Sequence, residues 1–209
     1  MDIQFYGGNC VTLTVQGIRM VIDDNLSELG AKSITKSSDA ALFTGAHKKL
    51  TTDVKLIIDS PGEFELSSVS VYGIPARAHM DEDTQATSGT MYKFVWGDVS
   101  ILVTGHIYPE LNDRELERIG MIDVLIVPVG GNGFTLDPIG ALGIVKKIEP
   151  KVVIPTHYDD QGLQFPVPQQ SLEQALSSLG MEPAITTPKL KLKASDLTDS
   201  LQLVVLERV

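Results

Sequence analysis

Short apolar runs separated by turn-forming residues fill the first half of the chain. They predict β-strands over residues 3–6, 11–15, 19–22, 40–43, 54–58, 69–74, 91–96 and 99–103. Two of the connections, Gln16-Gly17 and Gly97-Asp98, have the length and residue types of hairpin turns. The first half is therefore expected to be β-structure, with a polar surface loop over residues 26–38.

In the second half, apolar residues recur at helical spacing between buried strands. Helices are predicted over residues 112–120, 137–148 and 171–179, and strands over 124–127, 152–154, 190–192 and 201–206. Asp137 can accept first-turn N–H groups, and Pro138 suits the first helical position. The two apolar strands flanking this helix predict a βαβ unit with parallel strands. Ligands bind beyond the carboxyl ends of such strands, where a glycine-rich bend and His157 lie.

The composition is that of an ordinary globular protein. Hydrophobic residues make up 43% and charged residues 21% of the 209 residues, which predicts a single domain over residues 1–209. No apolar run approaches the ~20 residues of a membrane-spanning helix, and the N-terminus does not resemble a secretory signal. The one cysteine, Cys10, fits a reducing compartment. We therefore expect a cytoplasmic protein.

The net charge of −10 changes the expectation about partners. Phosphate backbones are bound chiefly through Lys and Arg, so nucleic acid is disfavoured. The short basic stretch 189–193 alternates with leucine and predicts a half-exposed strand. The partners expected are a small molecule or a protein, including a second copy of the chain in a homo-oligomer, and not a membrane.

The four histidines are the chain's main candidates for chemistry. His47, His79, His106 and His157 each follow the C-terminal end of a predicted strand. Neutral imidazoles are good ligands for transition metals, and loops at strand ends can bring them together. Taken singly, each histidine is better explained as a polar loop residue. Taken together, they predict a metal site at one edge of a sheet.

Seven short motifs follow one another in an order that points to a known family. They are Tyr6-Gly7-Gly8-Asn9-Cys10, Val21-Ile22-Asp23, Leu42-Phe43-Thr44, Gly62-Glu63-Phe64-Glu65, Gly73-Ile74-Pro75-Ala76-Arg77-Ala78-His79, Val127-Pro128-Val129-Gly130-Gly131 and Ile154-Pro155-Thr156-His157-Tyr158. This order resembles the metallo-β-lactamase fold, in particular its ascorbate-6-phosphate lactonase-like branch of metal-dependent hydrolases. The resemblance implies an α+β, four-layer αββα sandwich. Two mixed β-sheets would be flanked by helices, with one or two metals along one edge.

The chain departs from the family pattern at the metal ligands. The family's His-x-His-x-Asp-His signature aligns with residues 45–50, where His47 remains and Lys49 stands in place of the aspartate. The family's bridging aspartate aligns with Val103 or Thr104. Of the ligands that the resemblance implies, His47, His79 and His157 therefore remain.

Two hypotheses about function follow from this departure. In the first, the dinuclear site is dismantled and the sandwich is a non-hydrolytic protein that binds a ligand or partner and needs no cofactor. In the second, His47, His79 and His157 hold one Zn²⁺ or Mn²⁺ ion, and the chain is a divergent hydrolase of a lactone, amide or phosphoester. The sequence favours the first hypothesis, because an ammonium group repels a divalent cation, by roughly 4 kcal/mol for each pair of unit charges 4 Å apart in a partly buried site. It leaves open whether the chain is an enzyme.

Further side chains around the expected pocket are candidates for catalysis or binding. Lys49 and His106 are candidate catalytic groups, and Lys49 could pair with Asp23, Asp24 or a bound anion. The alternatives are that Lys49 simply points to water and that His106 is a surface histidine, which is the interpretation that the sequence favours for His106.

The glycine-rich bend and the loop after His157 supply the remaining candidates. Backbone N–H groups at Gly130, Gly131 and Asn132 could cradle a phosphate, although a tight turn explains the same residues. Asp159 and Asp160 could orient the ring of His157.

Overall fold

A computed structural model describes residues 1–47, 50 and 52–209 of the chain. Lys49, a candidate catalytic residue, lies outside the described residues. The strands of the described part are β1 (Asp2–Gly7), β2 (Cys10–Val15), β3 (Ile18–Ile22), β4 (Ala40–Leu42), β5 (Leu56–Ile58), β6 (Gly62–Leu66), β7 (Val69–Ala76), β8 (Gly89–Trp96), β9 (Val99–Val103), β10 (Val124–Pro128), β11 (Val152–Thr156), β12 (Pro183–Thr187), β13 (Leu190–Lys191) and β14 (Gln202–Leu206). The α-helices are α1 (Asp113–Ile119), α2 (Pro138–Ile148) and α3 (Leu172–Leu179).

The strands form two mixed sheets. In the first sheet the order is β13-β1-β2-β3-β4-β5, and in the second it is β12-β14-β11-β10-β9-β8-β7-β6. In the second sheet, β9, β10 and β11 run parallel to one another, as the predicted βαβ unit requires. The three strands are therefore aligned so that the loops after them open at the same edge of the sheet.

Apolar side chains from both sheets form the central core. Leu13 and Met20 of the first sheet belong to the same buried cluster as Phe94 and Ile101 of the second. This is the result of period-2 alternation, which sends one set of side chains from each sheet toward the other sheet.

Each sheet also has a covered outer face. Ile144 and Val145 of α2 pack with Leu125 and Val153 on the outer face of the second sheet. On the first sheet, Val21 packs with a 3₁₀ turn at Leu26–Leu29 and with Leu163. The expected α+β sandwich is confirmed, with two mixed β-sheets flanked by few helices.

The helix that follows the glycine-rich bend begins as its sequence predicts. The side chain of Asp137 accepts a hydrogen bond from the N–H of Gly140 at 2.7 Å, and Pro138 is the first helical residue. The N-terminus of α2 is thereby fixed directly after β10 and its bend. Within the described residues, no helix is long and apolar enough to cross a membrane.

Two strands were missed by the sequence prediction. β6 pairs with β7 although two glutamates interrupt its apolar pattern, and β12 pairs with β14 although most of its residues are exposed. Both lie at an edge of the second sheet. An edge strand can form through backbone pairing to one neighbour without burying a face, so no hydrophobic periodicity marks it.

Candidate histidine-lined active site

A cavity of about 590 Å³ opens at the edge where several strands end. Its polar lining includes Asn9, Asp23, His79, Asp81, His106 and His157. Its apolar lining includes Leu26, Leu29, Met80, Phe134 and Pro166. A volume of this size suits a small-molecule ligand.

Two of the four histidines meet directly in this cavity. The rings of His106 and His157 lie edge to face, with centroids 4.5 Å apart and planes at 86°. His106 follows β9 through Gly105, whose φ of +64° favours glycine. A Cβ on Gly105 would lie 2.1 Å from Oγ1 of Thr44, which follows β4 of the first sheet after Phe43. A residue with a side chain at position 105 would therefore clash with Thr44.

His157 is held by its own backbone and by one side chain. It has a φ of +50°, and its N–H donates to the carbonyl of Gly8 at 2.8 Å. Its Nδ1 lies 3.2 Å from Oε1 of Gln169, and the Gln169 amide donates to the carbonyl of Val167 at 3.0 Å. The Gln169 oxygen is therefore the acceptor, His157 carries its proton on Nδ1, and Nε2 keeps its lone pair.

The sequence did not identify Gln169 as the partner of His157. Asp160 was a candidate for this role, but its carboxylate accepts hydrogen bonds from Arg208 and from the N–H of Gly162. Asp159 is tied to the same loop as Gln169, because its N–H donates to the carbonyl of Gln170. Gln169 lies on a loop twelve residues beyond His157, and neither spacing nor residue type marks it in the sequence.

Burial keeps the histidine pair neutral. Desolvation, together with smaller contributions from the neighbouring His157 and His79, lowers the pKa of His106 to about 3. Desolvation also lowers the pKa of His157 to about 4, against the opposing effect of its hydrogen bond to Gln169. Neutral imidazoles are the form that binds metal ions.

His79 completes the group of histidines that line the cavity. Its backbone N–H donates to the carbonyl of His106 at 2.7 Å. The Nδ1 atoms of His79 and His106 are both buried without a hydrogen-bond partner among the described residues. A buried polar atom without a partner is uncommon and calls for an explanation, such as a catalytic role or a bound water or ion.

His47 is not among the residues that line the cavity, although Ala46 directly before it is. Its ring stacks on Phe43 with centroids 3.7 Å apart, and its Nε2 is 3.5 Å from Oδ2 of Asp59. The structure therefore brings His79 and His157 together with His106, the histidine predicted as a catalytic candidate. The ligand set of His47, His79 and His157 stays a prediction.

The two predicted aspartates have different surroundings. Asp23 accepts hydrogen bonds from the N–H and the hydroxyl of Thr44 at 2.7 and 2.6 Å, and it borders the cavity. Burial raises the pKa of Asp23 to about 6, although the two hydrogen bonds from Thr44 and the charge of His47 lower it. Oδ2 of Asp24 instead accepts hydrogen bonds from Ser33, Ile34 and Thr35 and so holds the following loop.

The glycine-rich bend makes the contacts of a tight turn. The N–H of Gly131 donates to the carbonyl of Leu136, and the side-chain amide of Asn132 donates to the carbonyl of Pro168. A Cβ on Gly130 would lie 2.1 Å from the carbonyl oxygen of His157 and 2.2 Å from Oε1 of Gln169. Gly130 therefore lets β10 approach the His157 loop closely. The anion cradle at Gly130, Gly131 and Asn132 stays a prediction.

A known protein family matches the part of the chain that contains these histidines. The family model described as the beta-lactamase superfamily domain matches residues 2–157, which contain all four histidines. The chain belongs to the metallo-β-lactamase superfamily. This confirms the family that the seven sequence motifs indicated.

Superfamily members with related sequences and structures have been described. A UPF0173 metal-dependent hydrolase of Salinibacter ruber is 25% identical over 199 residues, covering 76% of this chain and 85% of its own. A second, of Pyrococcus horikoshii, is 32% identical over 134 residues, covering 62% of this chain and 56% of its own. A crystal structure of a metallo-β-lactamase superfamily protein from Thermotoga maritima superposes with a TM-score of 0.75 at 22% identity, covering 99% of this chain and 98% of that chain.

These relatives overturn the expectation of a non-hydrolytic protein. The chain aligns over most of its length with proteins described as metal-dependent hydrolases, so the prediction of a dismantled, non-hydrolytic scaffold is wrong. The error has a physical source. The prediction took each metal ligand from its position in the family motif, and the position of the bridging aspartate falls on Val103 or Thr104. In the structure, neither of these residues lines the cavity, whereas His106, which follows them, does.

The side chains around the cavity are of the types that bind a metal ion, but their spacing is not that of a metal site. His79, His106 and His157 are imidazole donors around one cavity, and two of them carry buried ring nitrogens without protein partners. In the part of the chain that the structure describes, no three His, Cys, Asp or Glu side chains already stand close enough to hold an ion. The residue types therefore suit Zn²⁺ or Mn²⁺, while their spacing is not that of a preassembled site.

Proposed function

We propose that this superfamily member is a metal-dependent hydrolase whose reaction centre is the cavity lined by His79, His106 and His157. The observation that carries the proposal is the pair of buried ring nitrogens, Nδ1 of His79 and Nδ1 of His106, that have no partner within the described residues. The description of its relatives as metal-dependent hydrolases supports the same reaction class.

In this proposal the three imidazoles would hold a single Zn²⁺ or Mn²⁺ ion. When bound, such an ion supplies a Lewis acid and a bound water of lowered pKa. The protein's own part is to keep the imidazoles neutral and oriented. Burial keeps His106 and His157 unprotonated, and Gln169 fixes the tautomer and the ring of His157.

The remaining walls of the cavity would bind and shield the substrate. Leu26, Leu29, Met80 and Phe134 supply apolar surface, which excludes water from the reacting groups. The reaction class is hydrolysis of a lactone, an amide or a phosphoester, each of which presents an oxygen that a bound metal can polarise.

The proposal is tested by loading the purified protein with Zn²⁺ or Mn²⁺ and measuring hydrolysis of δ-valerolactone, p-nitrophenyl butyrate and p-nitrophenyl phosphate. We expect turnover of at least one substrate, its loss with EDTA, and its recovery when metal is added back. His157→Ala should lower kcat/KM by about 100-fold or more. Gln202→Ala, on β14, is a control that should leave activity unchanged. Turnover that is insensitive to EDTA and to His157→Ala would overturn the proposal.

We also propose that the protein acts in the cytoplasm. Its one cysteine, Cys10, is buried and free, as suits a reducing compartment. Fractionation of cells that express the chain from its own gene, followed by immunoblotting, tests this. Recovery of the protein outside the cytoplasmic fraction would contradict it.

A further inference from the structure

Asn9 lines the cavity, and its side-chain amide is only partly hydrogen-bonded by the described residues. The residue is 8% exposed and lies between β1 and β2, directly before Cys10. Its Oδ1 accepts a hydrogen bond from the hydroxyl of Thr156 at 3.0 Å. Its Nδ2 is buried and has no hydrogen-bond partner among the described residues. The hydroxyl of Thr156 therefore fixes Oδ1 of the amide, whereas Nδ2 is a hydrogen-bond donor without an acceptor among the described residues.

The amide is tied to the reaction centre through two adjacent links. Thr156 is the last residue of β11 and directly precedes His157. The N–H of His157 donates to the carbonyl of Gly8, the residue before Asn9. Asn9 and His157 both line the cavity, so these links hold the Asn9 amide beside the histidines.

A buried N–H₂ group loses its hydration on folding, and this loss is offset only when an acceptor takes its place. We expect this acceptor to come from whatever occupies the cavity, because Asn9 lines the cavity and its Nδ2 has no partner among the described residues. A carbonyl oxygen of a substrate meets this requirement.

The other groups around the cavity indicate which class of substrate carries this oxygen. Asp81 is one of the residues that line the cavity, and its carboxylate accepts hydrogen bonds from the N–H of Ala78 at 2.8 Å and the hydroxyl of Ser88 at 2.6 Å. Hydrogen bonds of this kind favour the ionised carboxylate. A negative charge at the wall repels an anionic phosphoester, whereas the apolar surface of Leu29 and Phe134 suits an uncharged acyl group.

We propose that Nδ2 of Asn9 binds the carbonyl oxygen of an uncharged acyl substrate, an ester, lactone or amide, in the histidine-lined cavity. This inference rests on the proposed hydrolytic function and narrows its substrate class. Asn9 then touches the substrate, while Thr156 is a positioning residue that holds the Asn9 amide with its donor toward the cavity.

The first test compares the zinc-loaded wild type with Asn9→Asp and Asn9→Ala. Asn9→Asp keeps an acceptor for Thr156 but replaces the donor with a carboxylate oxygen. We expect the wild type to prefer p-nitrophenyl butyrate to p-nitrophenyl phosphate, and both variants to lower kcat/KM for the butyrate ester by about 100-fold. Thermal unfolding of each variant checks that it folds. A wild type that prefers the phosphate ester, or folded variants with unchanged kcat/KM, would overturn the inference.

A second test does not depend on turnover. The side-chain amide signal of Asn9 in a ¹H–¹⁵N spectrum of the metal-free protein is assigned by its loss in Asn9→Asp. Titration with δ-valerolactam, an uncharged amide that is hydrolysed slowly, should shift the Asn9 side-chain protons downfield. Thr156→Val, which removes the hydroxyl that holds Oδ1, should reduce this shift. An unmoved Asn9 signal would overturn the inference about Asn9.

The two tests separate this inference from the proposed function. If no substrate is hydrolysed but the lactam shifts the Asn9 signal, the hydrolase proposal fails and the binding role of Asn9 stands. If the butyrate ester is hydrolysed but neither the kinetics nor the signal responds at Asn9, the hydrolase proposal stands and the role of Asn9 fails.

Discussion

His106 and His157 meet edge to face, with ring centroids 4.5 Å apart, although they follow strands that β10 separates in the sheet. The contact forms because β9, β10 and β11 are parallel, so the loops after β9 and β11 leave the sheet at the same edge. Burial keeps both imidazoles neutral. This pair, joined by His79, is the centre on which the proposed chemistry depends.

The first prediction concerns which histidines bind metal. His106→Ala should weaken Zn²⁺ binding, measured by isothermal titration calorimetry, by at least about 100-fold, because a mononuclear site needs three protein ligands. His47→Ala should change the Kd by less than about threefold, since His47 stacks on Phe43 and faces Asp59. A larger loss for His47→Ala than for His106→Ala would instead support the ligand set His47, His79 and His157.

The second prediction concerns the hydrogen bond between Gln169 and His157. Gln169→Ala removes the oxygen that orients the ring, so Zn²⁺ affinity should fall by about 10–100-fold. Gln169→Glu keeps a side-chain acceptor for Nδ1 and should recover most of that loss. Gln202→Ala removes a glutamine of the same size from β14 and serves as the matched control. Equal Zn²⁺ affinities for wild type and Gln169→Ala would show that Gln169 does not orient the ring of His157 for metal binding.

The third prediction concerns the close approach at Gly130. A Cβ there would overlap the carbonyl of His157 and the Gln169 side chain, so Gly130→Ala should lower the free energy of unfolding by about 1–3 kcal/mol. It should also reduce activity, because both residues that it displaces belong to the active site. Urea denaturation measures the first effect.

Gly143→Ala is the matched control for Gly130→Ala. Gly143 lies inside α2, and a Cβ there would meet no atom within 4 Å. The substitution should raise the free energy of unfolding by about 0.5–1 kcal/mol, because alanine favours the helix. If Gly130→Ala were as stable and active as wild type, the close contact would have no structural role.

The fourth prediction concerns Asp23 and pH. Its pKa is raised by burial from 3.8 to about 6, so the folded protein binds a proton more tightly than the unfolded chain. The stability that this adds is fully present below pH 3.8 and is lost as pH rises through about 6. From pH 4 to 7, the free energy of unfolding of wild type should fall relative to Asp23→Asn by on the order of 2–3 kcal/mol.

The comparison with Asp23→Asn is needed because other carboxylates respond in the opposite direction. Hydrogen bonds, first that of Ser88, lower the pKa of Asp81, so its contribution to stability is lost as pH falls. Urea denaturation of both proteins at several pH values isolates the effect of Asp23. If the free energy of unfolding of wild type, minus that of Asp23→Asn, stayed constant or increased with pH, the raised pKa of Asp23 would be contradicted.

Much of the fold was readable from the sequence because its determinants are local. Asp137 and Pro138 mark the start of α2 through backbone chemistry of the first helical turn, and they do so in the structure. The buried runs of β10 and β11 likewise identify the parallel unit. By contrast, β12 forms by pairing at an edge with most of its residues exposed, which leaves no apolar pattern to detect.

The site was only partly readable, because its contacts join distant segments. His79, His106 and His157 could be found, since each follows a strand. Gln169 and Asn9 could not, because their roles depend on contacts with His157 and Thr156 that no spacing in the sequence encodes. The prediction of a non-hydrolytic scaffold failed because it weighed positions in a linear motif and undervalued His106.

Anomalous X-ray scattering at the zinc edge, from crystals of the zinc-loaded protein, locates the ion and identifies the side chains that bind it. We expect one well-occupied ion bound by ring nitrogens of His79, His106 and His157. Zinc bound at His47 without His106, or no anomalous peak in the cavity at saturating zinc, would contradict it.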